Sequence, residues 1–206
     1  MASSAIPISA KGNPIIITIK RCGWCGDDPL YQRYHDQEWG IPVYNDQGLF
    51  EYLTLEGAQA GLSWITILKK REGYRKAFTN FEVEKVAQFS DKKLEKLLLN
   101  PAIVRHRLKN FSVRKNARAF IDIQKEFGSF TDYIWGFVNG DPIQNNWKTL
   151  SEIPTTSQVS DTISKDLKKR GFSFVGSTII YAFMQAIGMI NDHISNCHRY
   201  KALSKK

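Results

Sequence analysis

The chain has 206 residues, of which 42% are hydrophobic and 24% charged, a composition typical of a folded domain and not of a disordered protein. No stretch approaches the ~18 apolar residues that a membrane-spanning helix needs. Three cysteines are too few for a disulfide framework,. These features argue against a membrane protein and a small secreted scaffold, so we expect a reducing, cytoplasmic environment.

The net charge of +9 is unevenly distributed along the chain. Residues 1–100 contain 13 Lys and Arg against 12 Asp and Glu, whereas residues 101–206 contain 16 against 8. A basic half favours a polyanionic partner, and nucleic acid ahead of a membrane surface. A lysine-rich, solvated surface without a partner is the alternative.

The first 20 residues resemble an extension to the folded body. They are rich in Ser and Ala at the start, and the β-branched run Ile15–Ile19 predicts a short strand or an ordered arm,. A weak organelle-targeting segment is the alternative for this extension.

The remaining sequence is dominated by helix signals. A long amphipathic helix is predicted from about Arg107 to Phe127, ending at Gly128, and a last helix from about Gly176 to Ile190. Ser90 predicts a helix from Asp91 to Leu99. Further helix starts are predicted where a capping residue precedes an apolar run, at Asp28-Pro29, Asp46, Ser63, Ser129 and Ser160,. The sequence predicts an all-α fold of about eight short helices packed as one unit, without a β-hairpin.

Cysteine and histidine residues concentrate near both ends of this helical body. His193 and Cys197 are four residues apart, so on a helical turn they share a face and could bind one metal ion. Cys22 and His35 could complete a Cys₂His₂ site, which would be closed and therefore structural. Cys25 competes for membership, and ordinary buried thiols and histidines are the alternative.

Glu56 lies among apolar and small residues, either on a solvated face or in a pocket. The small residues near it permit close approach of a flat ligand, and aromatic side chains are plentiful on both sides of it in the sequence. These aromatic residues are Trp24, Tyr31, Tyr34, Trp39 and Trp64. An acid surrounded by aromatic rings suits a cationic heterocycle, which needs a counter-charge and π faces.

A basic segment follows the helix break at Asn100-Pro101. It contains Arg105, Arg107 and Lys109 at the start of the long helix. A helix, a tight turn and a basic helix together offer backbone N–H groups and positive charge to phosphates. We therefore regard the three basic residues as candidate DNA contacts.

Three blocks of this sequence resemble the DNA-3-methyladenine glycosylase I family. The blocks together span about residues 21–200, and the second is long and specific. They comprise Arg21–Trp24 with Asp28–Gly40, then Leu55–Arg71, and finally Arg170–Gly176 with Asn191–His193.

The resemblance implies a helix-hairpin-helix DNA repair fold that hydrolyses the N-glycosidic bond of 3-methyladenine. The expected partner is double-stranded DNA with alkylated bases, the product is 3-methyladenine, and the expected state is a monomer. Residues 21–200 form the expected glycosylase domain, between the extension of residues 1–20 and a basic tail of residues 201–206. The resemblance also implies structural zinc joining the terminal segments, with the ligands Cys22, His35, His193 and Cys197. His198 directly follows Cys197, so His198 and Cys25 are the alternative ligands.

The same resemblance implies roles for individual residues. Glu56 and Tyr34 recognise the base and Trp64 stacks on it. Apart from the resemblance, the aromatic cluster makes Tyr31, Trp24 and Trp39 further candidate base contacts, and the charge of the lesion makes Glu56 the candidate catalytic residue. Gly61 and Leu62 lie where the family wedges into the duplex, and the DNA-binding hairpin corresponds to residues 100–109. Ala102 stands where many relatives have Gly, so a requirement for positive φ there would weaken the grip on DNA.

The positive charge of the damaged base limits the catalysis that the enzyme has to supply. 3-Methyladenine is cationic while attached to the sugar, so it departs neutral and needs little acid catalysis. We expect the base to flip out of the duplex, with Glu56 either stabilising positive charge on the sugar or orienting water. Monofunctional hydrolysis is expected because no Lys lies between Glu56 and Trp64. The alternatives are a non-catalytic zinc-stabilised DNA-binding protein, a helical interaction module, and a broader glycosylase that also removes 7-methylguanine.

Overall fold

The computed structural model describes residues 19–204, so most of the expected N-terminal extension, including all of the strand predicted at Ile15–Ile19 except Ile19, lies outside the described residues. Within that range the chain is mostly helical, as predicted, and no helix there is long and apolar enough to cross a membrane. The elements are α1 Pro29–Gln37, α2 Asp46–Gln59, α3 Trp64–Ala77, α4 Val83–Ala87, α5 Asp91–Leu97, α6 Arg107–Phe127, α7 Phe130–Gly136, β1 Ile143–Gln144, α8 Gln158–Lys169, α9 Ser177–Ala186, β2 Ile190–Asn191 and α10 His198–Leu203.

Several predicted helix boundaries are confirmed by their capping hydrogen bonds. Asp28 accepts from the backbone N–H groups of Leu30 and Tyr31 and so caps α1. Ser90 and Ser129 cap α5 and α7 in the same way. The long helix α6 begins and ends where predicted, with Gly128 at a φ of 88° beyond its last residue.

Two predicted caps are wrong. Asn45, and not Asp46, caps α2 by accepting from the N–H of Gly48. The Asp46 carboxylate instead accepts from the N–H groups of Phe130 and Thr131, at the start of α7. The helix predicted from Ser160 begins at Gln158, because Ser157 is the cap and Ser160 completes a capping box inside the first turn,.

The C-terminal region differs most from the prediction. The last predicted helix ends at Ala186 instead of Ile190, because Ile190 and Asn191 pair with Ile143 and Gln144 in a two-stranded parallel ladder. Two short helices, α4 and α10, were not predicted, and α10 continues to Leu203, beyond the expected start of the tail. In the described part of the chain there are therefore ten α-helices where about eight were expected.

Helix α2 is the centre of the core. It packs against α3, α6, α7 and α9, and from Leu49 to Ala58 most of its side chains are buried on every side. Phe50 contacts the ring of Phe120, which in turn stacks on Phe130 with centroids 4.0 Å apart. A helix that is buried all round carries any polar residue on it into the interior, and Glu56 lies on this helix.

Candidate active site and metal cluster

A cavity of about 400 Å³ opens between α1, α2, the start of α3 and α9. The structure brings six of the predicted site residues together around it, namely Trp24, Tyr31, Tyr34, Trp39, Glu56 and Trp64. Tyr31 and Tyr34 come from α1, Trp24 from the short 3₁₀ turn Gly23–Cys25 before it, and Trp39 from the turn after it. Glu56 and Trp64 come from α2 and α3.

Glu56 is the acid of this cavity, and it is only 4% exposed. Its Oε2 atom has no hydrogen-bond partner among the described residues. Burial raises the pKa of Glu56 to about 8, and no cation in residues 19–204 opposes the shift. The carboxyl group of the free protein therefore holds its proton at neutral pH, and a bound cation would favour the ionised form.

Aromatic rings form the near wall of the cavity. Trp24 lies 4.9 Å, centroid to centroid, from both Tyr31 and Trp39, and Tyr34 lies 5.4 Å from Trp64. The indole Nε1 of Trp64 is buried and, within the described chain, has no acceptor. The wall thus combines aromatic faces with the unpartnered Nε1 donor of Trp64 and the acid Glu56. This combination suits the binding of a flat nitrogen heterocycle.

The far wall of the cavity was not predicted from the sequence. It consists of Gln59, Leu150, Ile153, Pro154, Thr155, Thr178, Tyr181, Ala182 and Gln185. The buried Asp192 organises it by accepting hydrogen bonds of 2.8 Å from Tyr181 and Gln185, and of 2.7 Å from Trp147. Asp192 lies in the Asn191–His193 block, and Trp147 is 45 positions away from it. No local sequence pattern shows that these residues meet at one wall.

Cys22, His35, His193 and Cys197 form a fully buried cluster whose possible ligand atoms all lie within 4.8 Å of one another. The Sγ atom of Cys197 is 3.5 Å from both His35 Nε2 and His193 Nδ1, and Cys22 Sγ is 3.6 Å from His193 Nδ1. A tetrahedral zinc ion with bonds of about 2.3 Å to sulfur and 2.05 Å to nitrogen holds such ligands roughly 3.6 Å apart. The four side chains therefore fit a metal ion of this size.

The other ring nitrogen of each clustered histidine has its own partner. His35 Nδ1 lies 2.8 Å from Asp36 Oδ1, and His193 Nε2 lies 3.1 Å from the backbone oxygen of Trp39. These contacts orient His35 Nε2 and His193 Nδ1 toward the centre of the cluster, as hydrogen bonds to the outer nitrogen of a metal-binding histidine do.

Neither Cys25 nor His198 belongs to the cluster. The Cys25 thiol donates to the backbone oxygen of Cys22 at 3.1 Å. His198 contacts the backbone oxygen of Lys20 instead. The structure thus brings Cys22 and Cys197 into the cluster, and leaves Cys25 and His198 outside it.

A short loop between α2 and α3 lies at the edge of the cavity. Gly61 has a φ of 77°, and the next residue, Leu62, is 42% exposed. Gln59 and Trp64, on either side of this pair, both line the cavity. The structure thus places a large apolar side chain in solvent beside the cavity mouth.

Helices α5 and α6 are joined by residues 98–106, which rest against the middle of α3. Lys70 donates to the backbone oxygen of Pro101 at 2.7 Å. Gly73 leaves room for Ala102, since a Cβ added there would lie 2.2 Å from the Ala102 oxygen. Ala102 is not among the residues with positive φ, so its backbone does not require glycine.

The three basic residues of this segment differ in their surroundings. Arg105 is exposed. Arg107 is exposed, forms an ion pair with Glu95, and lies over the Phe111 ring. Lys109 requires a correction, because it is buried and its ammonium group points to the end of α2 instead of to solvent. The structure therefore does not support Lys109 as a phosphate contact.

Comparison with known proteins identifies the family. A family model described as methyladenine glycosylase matches residues 24–200. The chain belongs to the methyladenine glycosylase family. This confirms the resemblance predicted from the three sequence blocks.

Individual members of the methyladenine glycosylase family match nearly the whole chain. DNA-3-methyladenine glycosylase 1 of Escherichia coli (strain K12) is 50% identical over 182 residues, which cover 88% of this chain and 97% of that protein. The solved 3-methyladenine DNA glycosylase I from Staphylococcus aureus has a TM-score of 0.86 at 38% identity, with coverage of 90% and 97%. A variant of 3-methyladenine DNA glycosylase I in complex with 3-methyladenine has a TM-score of 0.84 at 39% identity, with coverage of 86% and 96%.

Proposed function

We propose that this chain hydrolyses the N-glycosidic bond of 3-methyladenine in alkylated double-stranded DNA, and that the cavity around Glu56 is where the base binds. The chain is a 3-methyladenine DNA glycosylase by its family and by its relatives. One observation carries the assignment of the site: a buried acid without a partner or counter-ion faces a cavity lined with aromatic rings.

Electrostatics explains how this cavity distinguishes the damaged base. A cationic base restores the counter-charge that Glu56 lacks and so favours the ionised carboxylate, whereas neutral adenine does not. The rings of Trp64 and Tyr34 provide stacking surfaces, whose attraction is greater for a cationic ring. Selection therefore depends on charge more than on shape.

The reaction follows from the same arrangement. The bond between the base and the sugar breaks, the electron pair leaves with the base, and 3-methyladenine departs neutral. Water then adds to the positively charged sugar and loses a proton, which leaves an abasic site. The Glu56 carboxylate stabilises the positive charge first on the base and then on the sugar.

Hydrolysis without strand cleavage is part of the proposal. A lyase reaction needs an amine that reaches the sugar. The cavity lining given by the described residues contains no lysine. Lys109 does approach the segment between Glu56 and Trp64, but it lines a separate small cavity between α2 and α6.

Two exposed parts of the molecule are proposed to hold the DNA. Leu62, following Gly61, enters the duplex beside the extruded base. The hairpin between α5 and α6, with Ala102, Arg105 and Arg107, binds the phosphate backbone, in keeping with the basic second half of the chain. The bacterial relatives and the DNA substrate favour a cytoplasmic location, and a single cavity for a single lesion favours a monomer.

We further propose that Cys22, His35, His193 and Cys197 bind structural zinc. The support is the ligand spacing and the partners of the two histidines described above. Four protein ligands leave no open position, so the ion would supply no step of the hydrolysis. It would join the segment before α2 to the segment after α9 and thereby add to the stability of the fold.

Chromatography of the bases released from methylated duplex DNA tests this function. The wild type is expected to release 3-methyladenine and not 7-methylguanine, and Glu56→Gln, which has the same shape without the charge, is expected to release much less. Glu51→Gln on the same helix is the control, because Glu51 pairs with Arg75 away from the cavity. Release of both bases would show the broader glycosylase, and DNA binding without release would show a non-catalytic protein. Full release by Glu56→Gln would overturn the assignment of the acid.

A further inference from the structure

Lys109 makes two hydrogen bonds that bridge distant parts of the chain. Its side chain is buried, and Nζ donates to the backbone oxygens of Ala58 at 2.8 Å and of Ala60 at 2.5 Å. Lys109 lies in the first turn of α6, whereas Ala58 and Ala60 lie at the end of α2. One ammonium group therefore joins the start of the basic helix to the end of the helix that carries Glu56.

The end of α2 needs such a partner. The last carbonyl groups of a helix have no intrahelical donor. At the ends of α1, α3 and α6, the backbone N–H of the C-cap residue supplies a bond to the last turn. At α2 the chain instead turns sharply, with Ala60 at a φ of −42° and a ψ of 115°. The N–H of Leu62 donates to the oxygen of Gln59, and the oxygens of Ala58 and Ala60 accept from Lys109. A cation at this position also complements the negative end of the helix dipole.

The two residues after Ala60 are Gly61 and Leu62, the loop at the cavity mouth. We propose that Lys109 is a positioning residue that fixes the direction in which this loop leaves α2, so that Leu62 and the start of α6 meet the duplex as one rigid unit. The proposal rests on the proposed function, in which Leu62 enters the DNA. Lys109 then contributes to opening the duplex without touching either DNA or the base.

This role separates two properties of the protein. Lys109 does not line the base cavity, so its loss leaves binding of the free base unchanged. Extrusion from a duplex requires the wedge, whereas a base in single-stranded DNA is already unpaired. The structure therefore predicts that losing the ammonium group affects duplex substrate far more than single-stranded substrate.

The first experiment compares Lys109→Met with Lys125→Met. Lys125 is an exposed residue of the same helix, so its replacement removes the same charge. For Lys109→Met we expect kcat/KM on methylated duplex to fall about tenfold or more, and release from single-stranded DNA and the Kd for 3-methyladenine to change less than about threefold. For Lys125→Met all three remain close to wild type. An equal loss on both DNA substrates would overturn the proposal.

A double-mutant cycle with Leu62→Ala provides the second test. If Lys109 acts through Leu62, Lys109→Met costs little further duplex activity once Leu62 is already Ala. Independent sites instead give effects that multiply, and that outcome would also overturn the proposal.

Lys109→Arg keeps the inference testable if Lys109→Met does not fold. Its guanidinium group retains the charge and the donors, so it is expected to keep most of the preference for duplex over single-stranded substrate. A folded Lys109→Arg protein with the wild-type Kd for 3-methyladenine but without activity on any DNA would count against the proposal. If the wild type itself released no 3-methyladenine from methylated DNA, the proposed function would be refuted instead.

Discussion

The cavity and the Cys/His cluster both contain buried polar side chains, but these differ in whether they have hydrogen-bond partners in the protein. In the cluster each histidine ring has an outer partner, Asp36 for His35 and the Trp39 carbonyl for His193. In the cavity Glu56 Oε2 and Trp64 Nε1 have no partner within the described residues. The histidines of the cluster are thus held by the protein itself, whereas the acid and the indole of the cavity have no partner among the described residues.

Buried polar groups are nearly always satisfied, so each exception calls for a reason. The four side chains of the cluster point at one another across distances that suit a single ion. This arrangement is typical of a structural metal site. Glu56 and Trp64 instead line a cavity of about 400 Å³, which is typical of a site that binds and releases ligands. We therefore expect the cluster to keep its ligand and the cavity to bind and release one.

The two sites are nevertheless physically joined. On α1, Tyr34 lines the cavity and its neighbour His35 belongs to the cluster. Trp39 lines the cavity with its ring and accepts from His193 with its carbonyl. A metal ion in the cluster would therefore also fix the aromatic wall on which the base stacks.

The largest expected effect is the loss of the cluster. Cys197→Ser removes one thiolate, so we expect the bound zinc to be lost and the free energy of unfolding to fall by more than about 4 kcal/mol. The measurements are the zinc content of the purified protein and its urea unfolding curve.

Cys25→Ser is the matched control for this change. It replaces another buried thiol, but one whose hydrogen bond goes to a backbone oxygen, so it is expected to keep the metal. A Cys197→Ser protein that retains one zinc per chain would show that the ligand set is wrong.

The next effect is a stability difference that depends on pH. Burial raises the pKa of Glu56 to about 8 in the folded chain, whereas in the unfolded chain it is near 4.3. Below the unfolded pKa the group is protonated in both states. Between about pH 4.3 and 8 only the unfolded state releases the proton, so the free energy of unfolding decreases as the pH rises,. The decrease is roughly 4 kcal/mol between pH 5 and 8.5.

Glu56→Gln removes this titration, so the variant is expected to become more stable than the wild type as the pH rises from 5 to 8.5. Urea unfolding of both proteins at the two pH values measures the difference. The pH dependence of the cluster is common to both and cancels. Parallel behaviour of the two proteins would mean that the carboxyl group is not buried as described.

Local sequence signals predicted the parts of the fold that depend on local chemistry. Asp28, Ser90 and Gly128 act within a turn of their own position, and their roles are confirmed. Asn45 and Asp46 are both good capping residues, and the sequence alone does not show that Asp46 is needed by α7 instead. Such choices are made by tertiary contacts, which override local preference.

The same limit applies to the sites. The near wall of the cavity was predicted for two reasons. An acid and aromatic residues suit a cationic base, and the family resemblance indicated which positions of the sequence bind it. Asp192 and the far wall escaped prediction because their contacts join residues up to 47 positions apart. Lys109 was misplaced because a lysine in a basic segment is usually exposed, and only the position of α2 explains why this one is buried.

The smallest effect concerns the free donor of the cavity. Trp64→Phe keeps an aromatic face against Tyr34 but removes the Nε1 hydrogen, which has no acceptor in the described structure. If that hydrogen binds the base, its loss weakens the affinity for 3-methyladenine by about 1 kcal/mol, or roughly fivefold in Kd. Titration calorimetry with the free base measures the change. Trp135→Phe is the comparison, because the Nε1 of Trp135 already donates to the backbone oxygen of Val43 and Trp135 does not line the cavity. An unchanged Kd for Trp64→Phe would mean that the indole acts through its ring alone, which would leave Glu56 as the polar group that distinguishes the cavity from the cluster.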